Sequence, residues 1–137
     1  MYDAGDVADI FRKQSLFERK NVAQKVLDTF GDSVPLILVR QKNEMCPRLK
    51  EYKFIVKRNS TWINFTRMIQ SSYIDNSNIY STQALHFMIG KVYPSSLDTF
   101  QQLYDIYADQ DGFLYVYYSV QDAFGDFPEV SNVKLIL

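Results

Sequence analysis

The sequence predicts an α+β domain with two helices ahead of its strands, and its element order allows a β-grasp sheet. Two observations carry this. Segments with helical spacing and segments with strand character follow one another as helix, helix, strand, strand, helix, strand, helix, strand. The last run, Phe113 to Tyr118, is the most strand-like in the chain. Inserted beside the first strand after a hairpin and a crossover helix, it would complete a β-grasp sheet, a topology that element order alone does not prove.

Residues 6–12, DVADIFR, form a short first helix in this reading. Ser15 and Glu18 then make a capping box that opens a second helix. Its apolar positions are Leu16, Val22, Ala23, Val26, Leu27 and Phe30, and Gly31 is read as its stop. Val34 to Val39 is a continuous apolar run, a buried strand despite Pro35. After the polar connector QKNEMCPRL, Tyr52 to Val56 alternates, with Tyr52, Phe54 and Val56 on one face and Lys53 and Ile55 on the other. Ser60 or Thr61 caps a third helix marked by Trp62, Phe65, Met68 and Ile69. Gln83 to Ile89 is the third strand, interrupted from that helix by DNSN. Ser95 with Asp98 is the expected cap of a fourth helix bearing Leu97, Phe100, Leu103, Tyr104 and Tyr107. Asp111-Gly112 turns into the final strand, Phe113 to Tyr118.

Composition narrows the functional classes. With 137 residues, 47% hydrophobic and 23% charged, the chain is an ordinary one-domain globular protein. Its net charge of -1 supplies no global attraction for nucleic acid or an anionic membrane, so no nucleic-acid partner is expected. The chain is also expected to be a monomer in solution. Ten Tyr and ten Phe are many for this length, enough to serve partners as well as a core. The N-terminus lacks a basic n-region and no run reaches a membrane span, while the single cysteine suits a reducing compartment; the expected location is cytoplasmic. The sequons at Asn59 and Asn64 are read as chance in that setting.

Catalysis finds little support. Cys46 and His86 are the only nucleophile and base of the usual kind, and nothing around them resembles a triad. One His and one Cys do not assemble a zinc site, and no cofactor is expected. Asp109-Gln110-Asp111-Gly112 hints at a calcium loop, but Val120 stands where the terminal glutamate belongs. Lys53 and Ile55, alternating out of an aromatic strand, suit either an exposed sheet edge or a half-buried strand with a snorkelling lysine.

Three stretches carry a resemblance. LFERKNVAQKVLDTFGDSVPLILVR, EYKFIVKRNSTWINFTRMIQ and DGFLYVYYSVQDAFG are similar to the first helix-to-strand unit, the second strand with its helix, and the aromatic-glycine ending of the autophagy-related ubiquitin-like proteins, the group that includes GABARAP. The likeness spans residues 11–125, with one residue deleted inside the second helix. It implies a ubiquitin-like domain over residues 1–125 with an N-terminal helical extension, followed by a removable extension, residues 126–137. A processing cysteine protease would cut after Gly125, and activating and conjugating enzymes would pass that glycine to phosphatidylethanolamine, so that the protein reaches autophagosomal membranes after lipidation. A glycine lets an enzyme cleft close around the backbone.

The resemblance also implies capture of aromatic-x-x-aliphatic motifs in cargo receptors, added as a strand to the edge of the second strand. The aromatic pocket would use Val26, Pro35, Ile37, Lys53, Ile55 and Phe113. The aliphatic pocket would use Phe54, Val56, Phe65 and Met68. Basic residues usual in the family are replaced by Glu51, Ser72 and Ser33, which puts fewer cations around a ligand. Two rival readings share the fold: a modifier joined to protein lysines, and a docking module that is never conjugated.

Overall fold

The computed structural model describes residues 7–41, 48–76 and 83–122. Four helices and four strands follow one another as α1 (Val7–Arg12), α2 (Leu16–Thr29), β1 (Ser33–Arg40), β2 (Lys53–Lys57), α3 (Trp62–Asn76), β3 (Gln83–Met88), α4 (Phe100–Tyr107) and β4 (Leu114–Asp122). The strands lie in the order β2-β1-β4-β3. β1 and β4 run parallel in the centre, with Leu36 opposite Leu114, and the two outer pairs are antiparallel. This is the β-grasp arrangement that the element order allows and the family resemblance implies.

Each face of the sheet buries one apolar cluster. Val34, Leu36, Leu38, Val56, Leu85, Phe87, Leu114 and Val116 meet Phe65 and Ile69 of α3 and Phe100 and Leu103 of α4. On the opposite face Ile37, Val39 and Phe113 meet Ala8 and Phe11 of α1 and Ala23 of α2. β1 is therefore buried along its whole length, which is why it reads as an unbroken apolar run. Pro35 is tolerated for a specific reason. Leu38 N donates to Tyr52 O, so the even-numbered residues of β1 carry the bonds to β2, and the ladder to β4 begins only at Leu36. The nitrogen of Pro35 falls where no donor is needed.

Most local signals were kept, and those of four elements were revised. The capping box of α2 is present, Glu18 N donating to Ser15 Oγ and Ser15 N to the Glu18 carboxylate. Its stop is not Gly31: Phe30 N closes the last turn on Val26 O, and Gly31 is not among the glycines of positive φ. The cap of α4 is Thr99, boxed with Gln102, rather than Ser95. Ser95 and Asp98 form a turn, with Ser95 N donating to the Asp98 carboxylate at 2.9 Å. Carbonyls of that turn accept from the first amides of α3, Asp98 O from Trp62 N and Ser96 O from Ile63 N. Leu97 consequently lies exposed instead of on α4. The alternation read from Tyr52 holds only from Lys53, where β2 begins. Tyr52 precedes the strand and packs with Phe11 on the α1 face, while Phe54 and Val56 join the α3 face. β4 extends to Asp122, beyond the expected end at Tyr118.

Candidate functional site: the open edge of β2

β2 forms one margin of the sheet, and among the described residues no strand pairs with its outer side. Because Tyr52, Phe54 and Val56 turn their backbone groups toward β1, those of Lys53 and Ile55 point outward. An extended peptide could therefore find a row of main-chain donors and acceptors there.

The two sets of residues singled out in the sequence fall on opposite faces of this edge. Pro35 stands opposite Ile55 and Ile37 opposite Lys53 across β1 and β2, on the face that α2 covers. Ile37 and Phe113 lie at the bottom of that face, both wholly buried. Val26 is half-buried on α2, Lys53 is exposed, and Ile55 is 47% exposed. On the other face Phe54 meets Phe65 edge to face, with ring centroids 5.5 Å apart. Val56 and Phe65 are buried beneath them, and Met68, one helical turn from Phe65, is exposed. Each face thus has an apolar floor and an exposed apolar lip.

Phe11 was not anticipated at this site. Its ring packs edge-on to Phe113 at 5.2 Å, and the Lys53 ammonium lies 5.4 Å from its centroid. It closes the α1 side of the aromatic face and leaves Phe113 1% exposed. The i, i+3 pair Ala8 and Phe11 was the signal available in the sequence.

The weighed chemical sites resolve into structural roles. Asp111 accepts from Arg19 Nε at 3.0 Å, Phe113 N at 2.9 Å and Tyr115 Oη at 2.5 Å, while Asp109 accepts from Asp111 N. Those carboxylates are engaged in closing the turn before β4 and in holding α2. Burial, with the hydrogen bond to Asp111, pushes the Tyr115 hydroxyl pKa up. His86 is half-buried opposite Ser119, and burial lowers its pKa. Cys46 lies outside the described residues, as do Gly125 and the whole of residues 126–137. Among the described residues no cluster of metal-ligating side chains occurs, and no helix is long and apolar enough to cross a membrane.

Comparison with known proteins matches this architecture to one family. The family model described as autophagy protein Atg8, ubiquitin-like, covers residues 18–125. The chain belongs to the Atg8 family. An autophagy-related protein 8-like protein of Dictyostelium discoideum is 30% identical over 115 residues, 83% of this chain and 90% of the relative. Autophagy-related protein 8h of Arabidopsis thaliana is 26% identical over 122 residues, 88% of this chain and 99% of that one. Among solved structures, Trypanosoma brucei ATG8 superposes with a TM-score of 0.70 at 25% identity, covering 83% of this chain and 95% of its own. Plasmodium falciparum Atg8, solved with a P. falciparum Atg3 peptide, shares the fold with a TM-score of 0.68 at 23% identity over 80% and 94% of the two chains. At these identities the chain is a divergent member, a ubiquitin-like protein of autophagy.

Proposed function

We propose that this Atg8-family protein is a modifier of autophagic membranes: it is cut after Gly125, joined through that glycine to phosphatidylethanolamine, and recruits motif-bearing partners along β2. Two acyl chains would satisfy the two-signal condition for stable membrane anchoring. The observation that carries the recruiting half is the open β2 edge with an apolar floor on either side. A peptide strand added there sends alternate side chains to opposite faces. Its aromatic residue would rest on Ile55, Val26 and the Lys53 stem, above the buried Pro35, and its aliphatic residue on Phe54 and Met68. That the Plasmodium relative was solved with an Atg3 peptide supports a peptide-binding role for this fold. The expected partners are the processing protease, the activating and conjugating enzymes and cargo receptors.

Two measurements test the halves separately. Mass spectrometry of the protein from its own cells should find a lipid adduct on a chain ending at Gly125, and Gly125→Ala should leave the protein off membranes. An uncut tail, or an isopeptide to lysine, would instead support the docking module or the protein-linked modifier. For recruitment, Ile55→Ala should weaken an aromatic-x-x-aliphatic peptide by about 1 to 2 kcal/mol, roughly five- to thirtyfold, in calorimetry. Ile55 is exposed, so the variant remains folded, and an unchanged affinity removes β2 as the docking edge.

A further inference from the structure

A second apolar surface lies away from β2. A groove of about 440 Å³ runs between the segment Val92–Ser95 and the outer side of α4, and Val92, Tyr93, Pro94 and Ile106 line it together with Asp98 and Asp105. Tyr93 is 64% exposed and Ile106 69%, large apolar side chains that no core claims. Asp98 and Asp105 each accept one hydrogen bond, from Ser95 N and Gln101 Nε2, which leaves acceptor capacity on both carboxylates. The groove is thus apolar with an acidic rim.

The chain contains one undescribed segment of matching chemistry. Residues 126–137 read DFPEVSNVKLIL, where Val133, Leu135, Ile136 and Leu137 surround a single cation, Lys134. The other undescribed segments, residues 1–6, 42–47 and 77–82, have no comparable apolar run. Reach permits the match. Asp122 at the end of β4 stands opposite Gln83, strand spacing carries the chain about 20 Å from Gln83 to Ile89, and Val92 is bridged back to Ile89. Residues 123–133 extend to roughly 36 Å, enough to bring the VKLIL run to the groove. Left in water, the run and the groove would be two separate apolar patches on one molecule.

The geometry points to this groove as the docking site of the chain's own C-terminal segment, with Val133, Leu135 and Ile136 against Tyr93 and Ile106 and Lys134 between Asp98 and Asp105. The contact buries apolar area on both sides and ties residues 123–125 between two fixed points. The contact belongs to the uncut chain, since the cut after Gly125 proposed above would release residues 126–137.

Hydrogen exchange on the full chain tests it. Backbone amides of residues 133–137 should exchange at least about tenfold more slowly than an unstructured segment, and Ile106→Asp should abolish that protection. Reciprocally, Leu135→Asp should shift the Ile106 methyl and Tyr93 ring resonances, and Lys134→Glu should reduce protection without removing it. Because Ile106 is exposed, its substitution leaves the core intact. Unprotected amides in the native chain overturn the inference, as does protection that survives Ile106→Asp. Protection that appears only with a dimeric mass in light scattering overturns it as well, since the occupant is then a second copy. Gly125→Ala should leave every one of these readouts unchanged, which separates this docking from the membrane-modifier reading.

Discussion

Asp111 is the residue at which the N-terminal helices and the last strand are joined. Its carboxylate is wholly buried, faces the Arg19 guanidinium at 3.0 Å, and also accepts from Phe113 N and Tyr115 Oη. Arg19 continues the link to the α1–α2 junction by donating to Arg12 O at 2.9 Å and Gln14 O at 2.5 Å. Removing the carboxylate would strand three donors, one of them charged. Loss of one partner from a buried pair typically costs about 3 to 5 kcal/mol. Arg19 keeps its two carbonyl partners, so Asp111→Ala should fall near about 3 kcal/mol in urea unfolding, and Asp111→Asn should cost less. A loss below about 1 kcal/mol would mean that water replaces the carboxylate. Phe113 needs similar care. Buried against Phe11 and Tyr115, it belongs to the core, so Phe113→Ala combines any loss of binding with a loss of stability of about 3 to 5 kcal/mol. Phe113 therefore does not report on the aromatic pocket separately from the core, and Ile55 is the clean probe.

At the scale of elements, the turn into β4 shows how closely α2 sits on the sheet. Gly112 has φ +93°, and a Cβ there would come within 2.9 Å of the Ala23 Cβ on α2. Gly112→Ala should therefore cost about 2 to 4 kcal/mol, combining backbone strain with overpacking, as read from thermal or urea unfolding. Ala23→Gly in the same chain should recover the part due to collision, although glycine within a helix costs about 1 kcal/mol of its own. No recovery would show that strain alone is responsible. The turn was legible in the sequence as Asp111-Gly112, because turns are written in local chemistry. So were the capping box of α2 and the buried run of β1. The fourth helix was misplaced because Ser95 and Asp98 spell the same spacing as a capping box, and only the tertiary bonds from Trp62 and Ile63 reveal the turn as the cap of α3. Tyr52 was misassigned because periodicity alone does not say where a strand begins. The pairing of Phe11 with Phe113 was hidden by a sequence separation that no local rule spans.

At the scale of the whole molecule, the proposed docking along β2 makes the charge around that edge the expected determinant of ligand preference. Glu51 is exposed just before the strand, and Ser72 is exposed on α3. Ser33, the third position where the resemblance implies a cation, is buried with its hydroxyl donating to Asp32, so charge there would not reach the surface without rearrangement. Its cross-strand neighbour Lys57 is already paired with Asp32 at 2.7 Å, and that partner holds the Asp32 carboxyl below its usual pKa. Arg48, Lys50 and Lys53 are further exposed cations, in β2 or shortly before it in the chain. Rim charges act mainly on association rate and salt sensitivity, and exposed pairs contribute only about 0.2 to 1 kcal/mol each. The protein should therefore favour aromatic-x-x-aliphatic peptides with neutral flanks over acidic ones, and its binding should weaken only shallowly as salt rises. Glu51→Lys with Ser72→Arg should tighten acidic peptides by about three- to thirtyfold at low salt and steepen the salt dependence, while neutral peptides change little. Both sites are exposed, so the pair should change the unfolding free energy by no more than surface substitutions usually do, about 0.5 kcal/mol each. Titration of matched acidic and neutral peptides at two salt concentrations measures this. A native protein that already prefers the acidic peptide strongly, with nothing added by the double variant, would assign the rim to Arg48, Lys50 and Lys53 instead.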